Sequence, residues 1–180
     1  HYEIPRSKSI YAKGKYSDGC IYCEYVYSGY HGVVLYSRDN VTGYAGSSGL
    51  YGYMIVTSSD MVYLYRFDGG STGTKAVIAT AYTTPTVGDI IRMMVVKSGS
   101  QFNLYASTND PQLRYIGSGT DSTYTEGYIG FTTPKLVGLK IQHLAIIAAS
   151  PDATNGIAAC IPPIGGGGRY GVEESVYNTF

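Results

Sequence analysis

The sequence has no tryptophan and only four phenylalanines, and just 14% of its residues are charged. Its 13 lysines and arginines balance 13 aspartates and glutamates, so it lacks the basic surplus with which nucleic-acid-binding proteins neutralise phosphates. No apolar run approaches the roughly 20 residues that a membrane-spanning helix needs. The longest, at 136–149, is interrupted by Lys140, Gln142 and His143. We therefore expect neither a nucleic-acid partner nor insertion into a membrane.

Tyrosine and glycine dominate what the sequence does contain, with 20 and 24 residues in a chain of 180. Tyrosine favours strands and has a polar-tipped ring that suits wet surfaces, while glycine supplies the backbone freedom of tight turns. The hydrophobic fraction of 44% is enough for one globular domain with its own core. This composition is typical of extracellular β proteins, so we expect a protein that is secreted or exposed on a cell or virion surface.

Short alternating segments recur between turn signals, and almost none has helical periodicity. This pattern predicts an all-β sandwich over residues 1–149. The segment 90–97 is apolar on both faces, which predicts a central strand. The predicted strands cover residues 9–12, 20–27, 33–37, 51–57, 61–67, 76–81, 90–97, 101–107, 114–117, 128–132 and 136–147.

The character of the chain changes at residues 150–180, which contain paired prolines, four consecutive glycines and little alternation. These features predict an extended C-terminal arm. The arm either packs along its own domain, remains partly disordered, or reaches a neighbouring subunit. In the last case residues 161–180 would carry the self-association, because the sequence GVEESVY is suited to adding a strand to an exposed sheet edge.

Four segments occur in a characteristic order: GVVLYSRDNVTGY at 32–44, YGYMIVTSSDMVYLYRFDGG at 51–70, GDIIRMMVVKSGSQFNLYAS at 88–107 and DSTYTEGYIGFTT at 121–133. Their order and spacing resemble the concanavalin A-like lectin/glucanase superfamily in its laminin-G-like and glucanase-related branches. The resemblance covers about residues 8–148. It implies a jelly roll of two antiparallel sheets, one of them concave.

Glucanases of that superfamily carry a Glu-x-Asp-x-x-Glu strand, and this sequence has none. Glycoside hydrolysis needs two carboxyl groups on either side of the scissile bond. Asp121 with Glu126 flanks a turn, and the adjacent Glu173 and Glu174 would point to opposite faces of an extended chain. We therefore predict no catalytic residue, and a glycoside hydrolase is the least favoured function.

His143 interrupts an apolar strand, where we expect a partly buried imidazole.

Three cysteines occur, and two of them form the C-x-x-C sequence of Cys20 and Cys23. Residues three apart on a strand point to opposite faces, so these thiols do not converge on one zinc ion. A disulfide between Cys160 and one of the pair stays open. No metal site is predicted. Calcium is the open alternative, because family members often bind it in a loop. The loop oxygens on offer are those of Asp39 with Asn40, Asp68 and Asp110.

A glycan is the partner that best suits a tyrosine-rich surface of this fold. Tyrosine rings can stack on sugar rings, while hydroxyl, guanidinium and carboxylate groups bind sugar hydroxyls. The alternative is that the tyrosines form cross-strand pairs or subunit contacts, as in a structural subunit of a fibre, filament or viral particle. Our hypothesis is a non-catalytic carbohydrate-binding or adhesive module, whose predicted binding residues are Arg38, Asp39, Tyr44, Tyr51, Tyr53 and Tyr65.

Overall fold

The structure is a computed structural model and describes residues 2–29, 32–40, 43, 49–58, 60–83, 85–133 and 138–148. Tyr44, Cys160 and the predicted arm at 150–180 lie outside these residues. The described residues contain no helix of the length and hydropathy needed to cross a membrane. Their strands are β1 (Tyr2–Ile4), β2 (Ser9–Tyr11), β3 (Gly19–Val26), β4 (Gly32–Ser37), β5 (Tyr51–Ser58), β6 (Met61–Asp68), β7 (Lys75–Ala81), β8 (Ile90–Ser98), β9 (Gln101–Thr108), β10 (Arg114–Thr120), β11 (Tyr128–Thr132) and β12 (Leu139–Ala148).

The strands form two six-stranded antiparallel sheets, which confirms the predicted jelly-roll sandwich. Sheet 1 has the order β1-β12-β3-β8-β9-β10, and sheet 2 has the order β2-β11-β4-β5-β6-β7. Strand β8 lies inside sheet 1 between β3 and β9, as its doubly apolar sequence predicts. Strand β1 was not predicted, because three residues are too few to show alternation.

The main core lies between the two sheets. On β11, Ile129 and Phe131 point into this core, and their exposed fractions are 1% and 0%. The alternation in GYIGF predicts that these two side chains share a face. Phe131 packs edge-on against Tyr25 of the opposite sheet, with ring centroids 6.2 Å apart. Strand β11 therefore packs against the opposite sheet through the face that carries Ile129 and Phe131.

Strand β4 contains a bulge that redirects its last residues. Tyr36 has a φ of 50°, unusual for a bulky side chain, and the β4–β11 register shifts opposite it. Leu35 and Tyr36 consequently both enter the main core, although they are consecutive. Gly52 of β5 makes the bulge possible, because an added Cβ would lie 2.7 Å from the Cα of Ser37.

Candidate functional site

Asp121 is a buried carboxylate at the start of the β10–β11 connection, with a side-chain exposure of only 2%. Its oxygens accept hydrogen bonds from the Tyr53 hydroxyl at 2.9 Å, from Arg66 Nη1 at 2.9 Å and from Lys75 Nζ at 3.0 Å. The backbone amide of Thr123 also donates to it at 3.0 Å, as the turn predicts. One carboxylate thus joins β5, β6 and β7 to the connection that leads into β11.

The surroundings of Asp121 determine its charge. Burial alone would raise the pKa of this carboxyl, but hydrogen bonds from Thr123, Lys75 and Tyr53 outweigh burial and hold the pKa well below its usual range. The group is therefore ionised at neutral pH and has no proton to give to a leaving group. Its chemistry is that of an anchor for cationic side chains.

Arg66 connects this anchor to the protein surface. Its Nη1 binds Asp121, and its Nε donates to Asp68 Oδ2 at 3.1 Å. The other oxygen of Asp68 accepts a hydrogen bond from the Tyr124 hydroxyl at 2.9 Å. Burial, and then the hydrogen bond to Asp68, raise the pKa of Tyr124 to about 12, so its hydroxyl stays protonated. Arg66, Asp68 and Tyr124 thus present fixed donors and acceptors at the end of β6.

Arg38 lies beside this group because of the strand register. Its backbone amide donates to the Tyr51 carbonyl, and Tyr51 is paired with Asp68 across β5 and β6. The Arg38 guanidinium stacks on the Tyr51 ring at 3.8 Å from the centroid, while its Nη2 lies 2.7 Å from Asp39 Oδ2. Both charged side chains are more than half exposed. We call this continuous surface the polar rim, which comprises Arg38, Asp39, Tyr51, Arg66, Asp68 and Tyr124.

The structure brings three of the predicted binding residues together and separates the others. Arg38, Asp39 and Tyr51 meet at the polar rim. Tyr53 is fully buried in the main core, where its ring packs 4.9 Å from Phe102, so it has no surface to offer a ligand. Its hydroxyl supports the rim indirectly through Asp121. Tyr44 lies outside the described residues.

Tyr65 lies on the outer face of sheet 2, away from the main core. Its ring stacks on Tyr63 at 4.9 Å with an interplanar angle of 18°, and it meets Phe67 edge-on at 6.5 Å. These rings border a small apolar cluster that includes Met54 and Val34. The shared face of Tyr63 and Tyr65 agrees with their alternation in the sequence. Tyr65 therefore belongs to a second aromatic surface next to the rim.

Sequence reasoning missed Arg66 and Tyr124 as members of this surface. In YLYRFD, Tyr65 and Phe67 alternate onto the outer face, so Arg66 must point towards the other sheet. A charged residue that points inwards near a strand end requires a buried partner of opposite charge. The alternation in YLYRFD could therefore have predicted that Arg66 has a buried acidic partner, but no neighbouring residue in the sequence identified that partner as Asp121.

The carboxylates considered for calcium do not converge in the part of the chain that the structure describes. Asp39 pairs with Arg38, Asp68 with Arg66, and Asp110 with the backbone amide of Gln112. Among the described residues, no group of three histidine, cysteine, aspartate or glutamate side chains is placed to hold a metal ion.

His143 departs from expectation: the residue is exposed, and its ring lies 5.8 Å from Tyr22 on the outer face of sheet 1. The prediction of a partly buried imidazole was wrong, because the register of β12 turns this position outwards.

The C-x-x-C cysteines do point to opposite faces of β3. Cys20 lies in a cluster on the outer face of sheet 1 and is disulfide-bonded, whereas Cys23 lies in the main core and is free. Burial raises the pKa of the Cys23 thiol to about 12.

We expect Cys23 to remain unmodified when the native protein is treated with iodoacetamide, and to be alkylated fully in the urea-unfolded protein. Peptide mass spectrometry checks this, and rapid labelling of the native protein would contradict it.

No protein-family model and no curated protein matches the chain. Solved structures do match it. Carbohydrate-binding module CBM66 from Bacillus subtilis superposes with a TM-score of 0.59 and 16% identity, over 79% of this chain and 83% of that one. The exoplasmic/lumenal domain of VIP36, in a form bound to Ca²⁺ and Man3GlcNAc, gives a TM-score of 0.51 and 14% identity over 84% and 81%. Sheep galectin-11, in complex with glycerol, gives 0.50 and 6% over 80% and 99%.

These identities are low, so the superpositions establish the architecture and leave the ligand open. All three proteins have a concanavalin A-like jelly roll of stacked antiparallel sheets, which is also the arrangement of β1–β12. The chain has the concanavalin A-like jelly-roll fold.

Proposed function

We propose that this chain is a non-catalytic carbohydrate-binding or adhesive module, and that a glycan binds at the polar rim. The fold neighbours that support this include a carbohydrate-binding module and the VIP36 exoplasmic/lumenal domain in its form bound to Ca²⁺ and Man3GlcNAc. The observation that carries the proposal is the set of charged and aromatic groups fixed side by side on β5, on β6, in the turn after β4 and in the β10–β11 connection.

Sugar recognition requires planar polar side chains that bind neighbouring hydroxyls, together with an apolar surface for the ring. The rim supplies donors from Arg38, acceptors from Asp39 and Asp68, and a hydroxyl from Tyr124. Tyr51 supplies an aromatic edge beside them, since its face is occupied by the Arg38 guanidinium at 3.8 Å. Because Asp121 fixes Arg66, and Arg66 fixes Asp68, these groups are preorganised before a ligand arrives.

We propose that the protein acts outside the cell or on a virion surface. The disulfide at Cys20 supports this, because disulfides persist in oxidising compartments. An alternative proposal is a structural subunit of a fibre, filament or viral particle that assembles through its tyrosine-rich faces. Light scattering across a concentration series discriminates the two, since the alternative requires a stable oligomer without any glycan.

The rim proposal is tested with an array of neutral and acidic oligosaccharides, followed by calorimetry with the strongest binder. Arg38→Ala is expected to weaken binding by at least about tenfold, because it removes a guanidinium that faces the ligand and frees Asp39. Binding is expected to be the same with calcium or with EDTA, since rim side chains provide the contacts. A calcium requirement would instead place the ligand on loops that bind the ion.

Arg114→Ala is the matched control. Arg114 is also exposed and paired with an aspartate, Asp110, but it borders a cleft of about 340 Å³ between β7, β9 and β10. We expect this variant to bind like the wild type. Binding lost in Arg114→Ala and retained in Arg38→Ala would overturn the rim proposal and place the glycan in that cleft. No binding to any oligosaccharide would count against the module itself.

A further inference from the structure

The outer face of sheet 1 carries an apolar cluster separate from the main core. Cys20, Tyr22 and Met94 are exposed by only 5%, 7% and 2%. Val96, Tyr105, Leu113 and Ala145 pack around them, partly buried. An outer face of a sandwich is normally solvated, so burial this deep indicates that a further segment covers the cluster.

The cysteines identify that segment. The chain has three cysteines; Cys20 is disulfide-bonded and Cys23 is free. Within one chain, Cys160 is the remaining partner. Cys20 points outwards on sheet 1, so a bond to Cys160 would bring the C-terminal segment onto this face.

The path of the chain fits this bond. Strand β12 ends at Ala148, which pairs with Gly19, and Ile147 pairs with Cys20 itself. The chain therefore leaves the sandwich beside Cys20, so a bond from Cys160 to Cys20 would bring it back to the place where β12 ends. Cys160 follows Ala148 by 12 residues. Twelve residues span up to about 40 Å when extended, which is ample for a return loop.

The sequence around Cys160 is complementary to the cluster. Residues 156–164 read GIAACIPPI and contain no charged or hydrogen-bonding side chain. Covering tyrosine, methionine and valine side chains with such a segment is favourable, because apolar surface is removed from water. The segment has no polar side chain whose desolvation would oppose this. The glycine run that follows would end the contact, because glycine contributes no side chain to it.

We propose that Cys20 is bonded to Cys160 of the same chain, and that residues 156–164 lie on the outer face of sheet 1 as an intramolecular strap. Forming the bond removes one proton from each thiol and two electrons in all. A protein or small-molecule disulfide takes them by exchange and is itself reduced to two thiols. The strap covers sheet 1 and leaves the polar rim of sheet 2 open.

The bond is tested on the full chain by peptide mapping without reduction, after free thiols have been alkylated in denaturant. We expect one linked pair of peptides containing Cys20 and Cys160, with Cys23 alkylated. A bond between Cys23 and either of the other cysteines would overturn the proposal. So would a dimer that reducing agent separates on a denaturing gel, which would mean that the arm reaches another copy.

The docking is tested by hydrogen–deuterium exchange of the full oxidised chain. We expect amides within 156–164 to exchange at least about tenfold more slowly than in Ile161→Asp/Ile164→Asp, which keeps the disulfide but places charges against the cluster. Val172→Asp, which lies beyond the glycine run, is the matched control and should leave the protection unchanged. Equal, fast exchange in the wild type and the double variant would overturn the strap even if the disulfide is intramolecular.

Discussion

Gly127→Ala is expected to destabilise the fold by about 3 kcal/mol, because there is no room for a methyl group. An added Cβ would lie 2.5 Å from the carbonyl oxygens of both Tyr36 and Ser37. These atoms belong to the bulge of β4, which lies between β11 and β5 and cannot retreat without breaking both pairings. Urea unfolding, followed by the fluorescence of the tyrosines, measures the change in the free energy of unfolding.

Gly70→Ala is the matched control for this substitution. Gly70 is exposed, and the nearest atom to an added Cβ would be 3.8 Å away. We expect its free energy of unfolding to change by less than about 0.5 kcal/mol. A cost below about 1 kcal/mol for Gly127→Ala would mean that the bulge shifts easily, and the geometry derived for Arg38 would then be wrong as well.

Asp121→Asn is expected to lower the free energy of unfolding at neutral pH by about 3 kcal/mol, the lower end of the range for breaking a buried ion pair. The substitution keeps the volume of the side chain and removes the charge that Arg66 and Lys75 share. The cost stays at the lower end because both cations are partly exposed and recover some hydration. Urea titration at neutral pH measures it.

The free energy of unfolding of Asp121→Asn is expected to depend on pH less strongly than that of the wild type. The pKa of Asp121 is lower in the folded protein than the unfolded value of about 3.9. Its contribution to stability is therefore complete above the unfolded pKa and is lost as the pH falls through the folded pKa. We expect the wild type to lose stability on acidification below about pH 4, and Asp121→Asn to lose less over the same interval.

Asp110→Asn provides the comparison, because Asp110 faces an exposed arginine at 3.5 Å. We expect a change below about 1 kcal/mol at neutral pH. Equal effects of the two substitutions would show that Asp121 is not the anchor of the rim. Reduced glycan binding in Asp121→Asn with the fold retained would indicate that the carboxylate also positions Arg66 and Asp68.

Most strand positions were predictable, because turn chemistry and period-two alternation are local properties. The strand predicted at 61–67 ends within one residue of β6, and the tight turn after it contains Gly69, whose φ is 89°. The C-x-x-C pair was correctly assigned to opposite faces for the same reason. Strand β1 was missed because its three residues are too few to show alternation.

The candidate site was less predictable. Alternation shows that Tyr51 and Tyr53 share a face, but it does not show which face packs against the opposite sheet. Tyr53 proved to be buried, and its hydroxyl binds Asp121, 68 positions away in the sequence. The role of Asp121 as an ionic anchor for Arg66 and Lys75 was not visible in DSTYTEGYIGF.

The sequence by itself determined the antiparallel sandwich, because side-chain alternation, glycine and proline turns, and the order of strands are written along the chain. Only the tertiary structure decided which aromatic rings became core and which charged groups met at the surface. Those outcomes depend on sheet stacking, on the bulge at Tyr36 and on partners such as Arg66 and Asp121. Such contacts join residues far apart in sequence, so no local pattern encodes them.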